Sequence, residues 1–141
     1  MESPPPNVDD RSIARGGQPL VLIVDDNASN LKLARDVLRA DGIRTIEAST
    51  GAEAIEVATA ALPDVVLLDL RLPDVDGLDV VRELRARERT ASIVVVALTA
   101  VRTGDESEWL HEAGFAGWLE KPITVRDFPT QVRGYALVDT A

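Results

Sequence analysis

The sequence predicts a doubly wound α/β fold with one parallel sheet. From Leu20 onwards, short apolar runs alternate five times with segments of helical periodicity. Such alternation is typical of parallel sheets that are covered by helices on both faces. Three of the runs are almost purely apolar and belong in the middle of the sheet, whereas the second and fifth are mixed or short and belong at its edges. With right-handed crossovers, these assignments favour the strand order 2-1-3-4-5.

The predicted strands are the five apolar runs. The first, third and fourth are continuous stretches of Val, Leu, Ile and Ala, as expected for strands that are buried on both faces. The predicted bounds are 20–24, 43–48, 65–68, 93–98 and 115–119. Together with the intervening helices they give a flavodoxin-like (βα)5 arrangement.

Capping signals and helical spacing mark the helices. Thr50 and Thr103 each precede a glutamate by three residues, which is the capping-box pattern that opens a helix. Gly42 and Gly114 stand where the first and fourth helices should end, and the second should stop before Pro63. Apolar residues recur at helical spacing within the first four helices, at Leu31, Ala34, Leu38, Ala54, Ile55, Ala58, Leu78, Val81, Leu84, Trp109, Leu110 and Ala113.

The fifth helix departs from this regularity. It is predicted from 125 to about 138, but Pro129 and Gly134 fall inside that range. In a helix interior, proline costs about 3 kcal/mol and glycine about 1 kcal/mol relative to alanine. The helix should therefore be kinked or begin late.

Length and composition restrict the class of protein. A chain of 141 residues suits one domain with a sizeable core. The absence of cysteine excludes disulfides and thiolate metal sites. A net charge of −9 opposes stand-alone binding to nucleic acid, which needs a basic surface. The one dense basic stretch, residues 82–89, contains interleaved glutamates and is interpreted as a solvated helix face.

The N-terminal segment has the composition of a disordered leader. Residues 1–18 contain three consecutive prolines and two adjacent glycines, with scarcely any apolar content. No apolar run approaches the ~20 residues that cross a bilayer, and the proline-rich start differs from a signal peptide. We therefore expect a cytoplasmic protein without a membrane partner, with one domain over 19–138 and a short tail over 139–141.

Acidic side chains end two of the central strands. Asp25 and Asp26 follow the first strand, and Asp69 follows the third. These strands are neighbours in the order 2-1-3-4-5, so the carboxylates should meet at the carboxyl edge of the sheet, where ligands bind in open α/β folds. Thr99 follows the fourth strand and Lys121 the fifth. A single Asp at a strand end is most often a turn former, so it is the coincidence of the five residues that indicates a site.

Three neighbouring carboxylates repel one another and are stabilised by a cation. At 4 Å and an effective dielectric near 20, each like-charged pair costs about 4 kcal/mol. Oxygen ligands without cysteine or a nearby histidine favour a hard ion, Mg²⁺ before Ca²⁺. A metal beside the Lys121 ammonium and the Thr99 hydroxyl suits a phosphoryl group that a carboxylate attacks in line. Asp69, alone at the centre of the edge, is the expected nucleophile, with Asp25 and Asp26 as metal ligands.

Four short motifs carry these residues. They are Val24-Asp25-Asp26-Asn27, Leu68-Asp69-Leu70 followed by Leu72-Pro73 and Gly77, Leu98-Thr99-Ala100, and Lys121-Pro122. Asp69 precedes Thr99 by 30 positions, and Thr99 precedes Lys121 by 22. In motifs and spacing, roughly residues 19–138 resemble the receiver domain of response regulators, the phosphoryl-accepting half of two-component signalling.

The resemblance implies a reaction and a metal site. Asp69 would accept a phosphoryl group from a phosphohistidine donor, and the domain would catalyse only its own phosphorylation and dephosphorylation rather than act as an enzyme on other substrates. Mg²⁺ would be held by Asp26, Asp69 and the backbone carbonyl of Arg71, with Asp25 contributing through water.

Further residues take roles only through the resemblance. Thr99 and Lys121 would bind the phosphoryl oxygens, and a cis Lys121–Pro122 peptide bond would aim the lysine inward. Trp118 would be the switch aromatic that moves inward as Thr99 approaches the phosphoryl group, with a simple packed edge aromatic as the alternative. By the same resemblance, positions 71 and 101 would tune the lifetime of the phosphoryl group. Val101 cannot orient a water, so slow self-dephosphorylation is expected.

The implied partners are proteins. A sensor histidine kinase or histidine phosphotransfer protein would bind at residues 27–38, and a downstream target would follow, with the activated form a monomer or weak dimer. The opening Asp26-Asn27-x-x-Asn30 resembles receivers of hybrid kinases and single-domain regulators. Two alternatives stay open, a receiver fragment of a hybrid histidine kinase or larger response regulator, and a pseudo-receiver that binds without phosphorylation. An aspartyl-phosphate phosphatase would need a second Asp at position 71, where Arg stands.

Overall fold

The computed structural model describes residues 19–99, 106–121 and 126–138. Within these ranges strands and helices alternate strictly. The strands are β1 (Leu20–Val24), β2 (Arg44–Ala48), β3 (Val65–Asp69), β4 (Val94–Thr99) and β5 (Gly117–Glu120). The helices are α1 (Ala28–Ala40), α2 (Gly51–Ala61), α3 (Gly77–Ala86), α4 (Glu106–Ala113) and α5 (Phe128–Val138). The leader and tail expected at 1–18 and 139–141, and the capping box expected at Thr103, lie outside the described residues.

The strands form one parallel sheet in the order β2-β1-β3-β4-β5, which confirms the predicted topology. Val24 lies opposite Leu68, and Asp69 lies opposite Leu98, so β1, β3 and β4 end close to the same level. Because the strands run in one direction, the residues that follow them emerge at one edge of the sheet.

Two apolar cores lie on the two faces of this sheet. Leu22 and Val24 belong to the core against α2, α3 and α4, which we call the first core. Val21 and Ile23 belong to the core against α1 and α5, which we call the second core. Side chains alternate between the faces as the twofold period of a strand requires. This arrangement confirms the prediction of helices on both faces. No helix in the described ranges is both long and apolar enough to cross a membrane.

β2 and β5 begin later than the apolar pattern predicts, and for the same reason. The backbone N–H groups of Ile43 and Phe115 donate to the carbonyls of Leu38 and Leu110, each at 3.0 Å. The glycines that precede Ile43 and Phe115 have left-handed φ values of 85° and 110°. These are Schellman helix ends, in which an apolar residue after the glycine packs back onto the helix. The predicted starts at 43 and 115 are therefore wrong, because both apolar residues terminate helices rather than open strands.

The fifth helix begins late, at Phe128, instead of at 125. Pro129 consequently falls in the first turn, where a proline costs no intrahelical hydrogen bond. Phe128 and Val132 are buried in the second core, whereas Gly134 is exposed and a Cβ there would meet nothing within 4 Å. Because the helix begins late, Pro129 does not interrupt its interior, as it would in a helix that began at residue 125.

The predicted capping box at α2 is present in a shifted form. The Thr50 side chain accepts a hydrogen bond from the Glu53 N–H at 3.1 Å, as a capping box requires. The Glu53 carboxylate does not return to the N-cap residue but accepts from the Ser49 N–H at 2.8 Å. α2 ends at Ala61, before Pro63, as predicted.

Candidate functional site

The three predicted carboxylates meet at the carboxyl edge of the sheet. Asp25 and Asp26 follow β1, and Asp69 ends β3, the strand that pairs with β1. One carboxylate oxygen from each residue lies within 4.8 Å of the others. Asp25 and Asp69 are buried, at 2% and 8% exposure, whereas Asp26 is exposed. The cluster is therefore open to solvent on the Asp26 side.

Lys121 joins two members of this cluster. Its ammonium donates to Asp25 Oδ2 at 3.1 Å and to Asp69 Oδ2 at 3.0 Å. The lysine follows β5, and its backbone N–H donates to the carbonyl of Thr99 at 2.9 Å, which extends the β4–β5 pairing to the site. Lys121 is thereby placed at the sheet edge predicted for it.

The charge state of Lys121 follows from two opposing effects. Burial disfavours the ammonium and lowers its pKa, while its hydrogen bonds to Asp69 and Asp25 raise it. The net effect is a pKa above the ordinary 10.5, so the side chain is a cation at neutral pH. Among the described residues, three carboxylates and one ammonium give the site a net negative charge.

Asp25 is held by residues of the first turn of α1. Its Oδ1 accepts from the Asn27 N–H at 3.0 Å, and its Oδ2 accepts from Asn30 Nδ2 at 3.2 Å. Asn27 also caps α1, because its own side chain accepts from the Asn30 N–H. Sequence reasoning missed this positioning role of Asn30. The signal that could have found it is an amide side chain five positions after the acid, within one helical turn of the cap.

The Asp69 carboxylate is oriented by the loop that follows it. Its Oδ1 accepts from the Arg71 N–H at 3.0 Å, and Arg71 forms an isolated bridge with Asp76. The Gly77 N–H donates to the Leu70 carbonyl at 3.0 Å. A Cβ at Gly77 would lie 2.9 Å from Leu70 Cα, so only glycine allows the two ends of the loop to approach this closely.

Thr99 and Trp118 occupy neighbouring strands. Thr99 is buried at the end of β4, level with the β5 end. Trp118 lies opposite Ala97 and packs, partly buried, against the first core. The tuning position Val101 and Pro122, the second residue of the expected cis peptide bond, lie outside the described residues.

The donor set fits a hard divalent cation. The cluster offers carboxylate oxygens, which are the ligands that Mg²⁺ prefers. Within the part of the chain that the structure describes, the Lys121 ammonium does not fully neutralise the carboxylates, and the exposed Asp26 leaves room for water ligands. The residues therefore suit Mg²⁺.

Comparison with known proteins points to one family. The family model described as "Response regulator receiver domain" matches residues 21–133. A polar-differentiation response regulator, DivK, from Brucella ovis is 37% identical over 115 residues, covering 82% of this chain and 94% of that protein.

Solved structures agree with this result. A response regulator from Chloroflexus aurantiacus matches with a TM-score of 0.78 at 28% identity, covering 85% of this chain and 98% of that one. The receiver domain of the sensor histidine kinase PA1611 from Pseudomonas aeruginosa matches with a TM-score of 0.75 at 31% identity, covering 84% and 98%. The latter structure holds a magnesium ion coordinated in its active-site cleft.

Proposed function

Since this chain belongs to the response regulator receiver domain family, we propose that it takes a phosphoryl group from a phosphohistidine donor onto Asp69 and signals by binding other proteins. The observation that carries the proposal is the Lys121 ammonium, which lies between Asp25 and Asp69 at the carboxyl edge of the sheet. An acid with a cation at hydrogen-bonding distance, beside a strand-end hydroxyl at Thr99, suits a group with several anionic oxygens.

The transfer needs only the donor and the Asp69 carboxylate as reacting groups. A carboxylate oxygen forms a bond to phosphorus while the phosphorus–nitrogen bond of the phosphohistidine breaks, and the electron pair stays on the imidazole. The raised pKa of Lys121 supports an ammonium that remains charged throughout and binds a phosphoryl oxygen. Thr99, which is buried at the end of β4, would donate a hydrogen bond from its hydroxyl to a second phosphoryl oxygen.

Asp26, Asp69 and the backbone carbonyl of Arg71 would hold Mg²⁺, with Asp25 acting through water. When bound, the metal would neutralise charge on the phosphoryl oxygens and on the carboxylates. The hydrogen bond from the Arg71 N–H to Asp69 supports this assignment, because it keeps the loop that carries the Arg71 carbonyl close to the acceptor. The magnesium ion in the active-site cleft of the related PA1611 receiver supports a metal at this site.

Signalling would follow from a population shift. We assign Trp118 as the aromatic that moves when Thr99 approaches the phosphoryl group, and we place the kinase or phosphotransfer protein on α1. The proposal also includes a receiver domain over residues 19–138 and a cis peptide bond between Lys121 and Pro122. We further propose a cytoplasmic protein that is a monomer or forms a weak dimer on phosphorylation. Val101 offers no group to orient a water, so the phosphoryl group should persist; a half-life of seconds would contradict this.

Intact mass after incubation with acetyl phosphate and Mg²⁺ tests the proposal. The protein should gain one phosphoryl group, and Asp69→Asn should gain none. Asp79→Asn is the matched control, because Asp79 is an exposed acid on α3 outside the cluster, and it should be labelled normally. Labelling of Asp69→Asn would overturn the assignment of the acceptor. Continuous turnover of substrate would favour a phosphatase, and absence of labelling in the parent protein would favour a pseudo-receiver.

A further inference from the structure

The loop between β3 and α3, residues 70–76, is closed at its base. The Gly77 N–H donates to the Leu70 carbonyl, and Arg71 bridges to Asp76. The apex of the loop, Pro73 to Val75, lies between these two contacts. These base contacts restrain the backbone at Arg71 but leave the apex unheld, so a contact at the apex adds to the precision with which the whole loop, Arg71 included, is positioned.

Asp74 anchors this apex to a different element. Its Oδ1 accepts from the Gly51 N–H at 2.8 Å, and its Oδ2 accepts from the Ala52 N–H at 3.0 Å. These are the first N–H groups of α2, which have no partner within their own helix. These two hydrogen bonds hold the pKa of Asp74 below its ordinary value. Since Thr50 caps the Glu53 N–H separately, Asp74 contributes a second cap that reaches α2 from a distant loop.

Packing at the start of α2 leaves no space for a side chain at position 51. A Cβ at Gly51 would lie 2.2 Å from Val75 Cγ2 and 3.0 Å from Val80 Cγ2. Glycine at this position therefore lets the loop apex rest directly on the start of the helix. The hydrogen bonds and the close approach act on the same three-residue apex.

From this contact we infer that Asp74 is a positioning residue for the metal site. By fixing the loop apex on α2, Asp74 sets the position of the backbone at Arg71. The Arg71 N–H orients the Asp69 carboxylate. The Arg71 carbonyl would bind the metal in the proposed function, on which this inference rests. Asp74 itself touches neither the metal nor the phosphoryl group. Residues that orient metal ligands from behind typically change metal affinity by about 10- to 100-fold when removed.

Asp74→Ala and Thr50→Ala form the decisive pair of variants. Both remove a cap from the N-terminus of α2, so both should lower the melting temperature by similar amounts. Only Asp74→Ala releases the loop. Calorimetric titration with Mg²⁺ should give a dissociation constant about tenfold higher for Asp74→Ala, whereas Thr50→Ala should stay close to the parent value. Asp74→Glu, which restores a carboxylate, should recover most of the affinity.

Two further measurements separate positioning from loss of helix stability. Gly51→Ala adds a good helix former to α2 but pushes the apex away through Val75, so it should also weaken Mg²⁺ binding. In metal-free protein, amide exchange at Arg71 and Gly77 should accelerate in Asp74→Ala and not in Thr50→Ala. Equal effects of Asp74→Ala and Thr50→Ala on both readouts would overturn the inference. Failure of the parent protein to bind Mg²⁺ would instead overturn the proposed function.

Discussion

Lys121 Nζ lies 3.0 Å from Asp69 Oδ2, although the two residues are 52 positions apart and the strands that carry them are separated by β4. The ammonium thus passes over the end of β4, where Thr99 lies. Because it also contacts Asp25, one cation links the ends of β1, β3 and β5. Electrostatic balance at this edge therefore depends on the relative positions of these three strands.

Removal of the Lys121 charge should destabilise the metal-free protein. In Lys121→Met, two buried carboxylates lose their cation, and since Lys121 is itself 22% exposed we expect a loss of about 2 kcal/mol, below the range for a fully buried pair. Urea unfolding measures this loss, and added Mg²⁺ should restore part of it. The control is Lys32→Met, which breaks an exposed ion pair with Asp36 and should cost less than about 0.5 kcal/mol. Equal losses in the two variants would contradict the prediction.

The same ion pairs should make stability depend on pH in the alkaline range. The folded-state pKa of Lys121 is raised above 10.5, so its stabilising contribution is fully present below pH 10.5 and is lost as the pH rises through the folded pKa. The difference in unfolding free energy between the parent protein and Lys121→Met should therefore narrow above pH 10.5. The NMR titration of the Lys121 side chain checks the direction. A midpoint at or below 10.5 would refute it.

Neutralisation of Asp26 should stabilise the metal-free protein but reduce the stabilisation that Mg²⁺ provides. Asp26 is the exposed carboxylate of an under-neutralised cluster, so Asp26→Asn relieves repulsion and should stabilise the metal-free protein by about 0.5 kcal/mol at low salt. The thermal shift on adding Mg²⁺ should shrink in this variant, because a ligand is lost. Glu88→Gln, an exposed acid outside the cluster, should leave both values unchanged. A lower melting temperature for metal-free Asp26→Asn would be evidence against repulsion.

Sheet geometry made most of this edge predictable from the sequence. Parallel strands end at one edge, so a carboxylate after β1 and another at the end of β3 had to converge once the strand order was assigned. The apolarity of each strand, together with right-handed crossovers, was enough to assign that order. Asp25, Asp69 and Lys121 could therefore be placed together from the order of the strands alone.

Contacts between loops were not predictable in the same way. Asp74 has the sequence context of an ordinary turn residue, since its capping of α2 depends on how close two loops approach in space. Ile43 and Phe115 resemble strand residues because apolar character does not distinguish a strand from the residue that packs back on a helix end. Both failures come from hydrogen bonds donated by backbone N–H groups, to a carboxylate at Asp74 and to carbonyls at the helix ends, which leave no periodic pattern in the sequence.

Trp118 provides an optical test of the proposed switch. The sequence contains two tryptophans, so Trp109→Phe leaves Trp118 as the single emitter. Its indole is partly buried against the first core, next to the strand that ends at Thr99. If the ring moves inward when Asp69 carries a phosphoryl mimic, burial should increase, and emission should shift to shorter wavelength on addition of beryllofluoride and Mg²⁺.

The control for this test is Asp69→Asn in the same background, which should give no shift because the mimic has no acceptor. A Trp118 that is only a packed edge aromatic predicts unchanged emission in both proteins. An indole is larger than a phenol, and β4 offers Trp118 the small Ala97 as its cross-strand neighbour. In the proposed switch, the space for an inward ring comes from Thr99, so Thr99→Ala should change the emission of Trp118 even without the mimic, whereas a fixed edge aromatic would not respond.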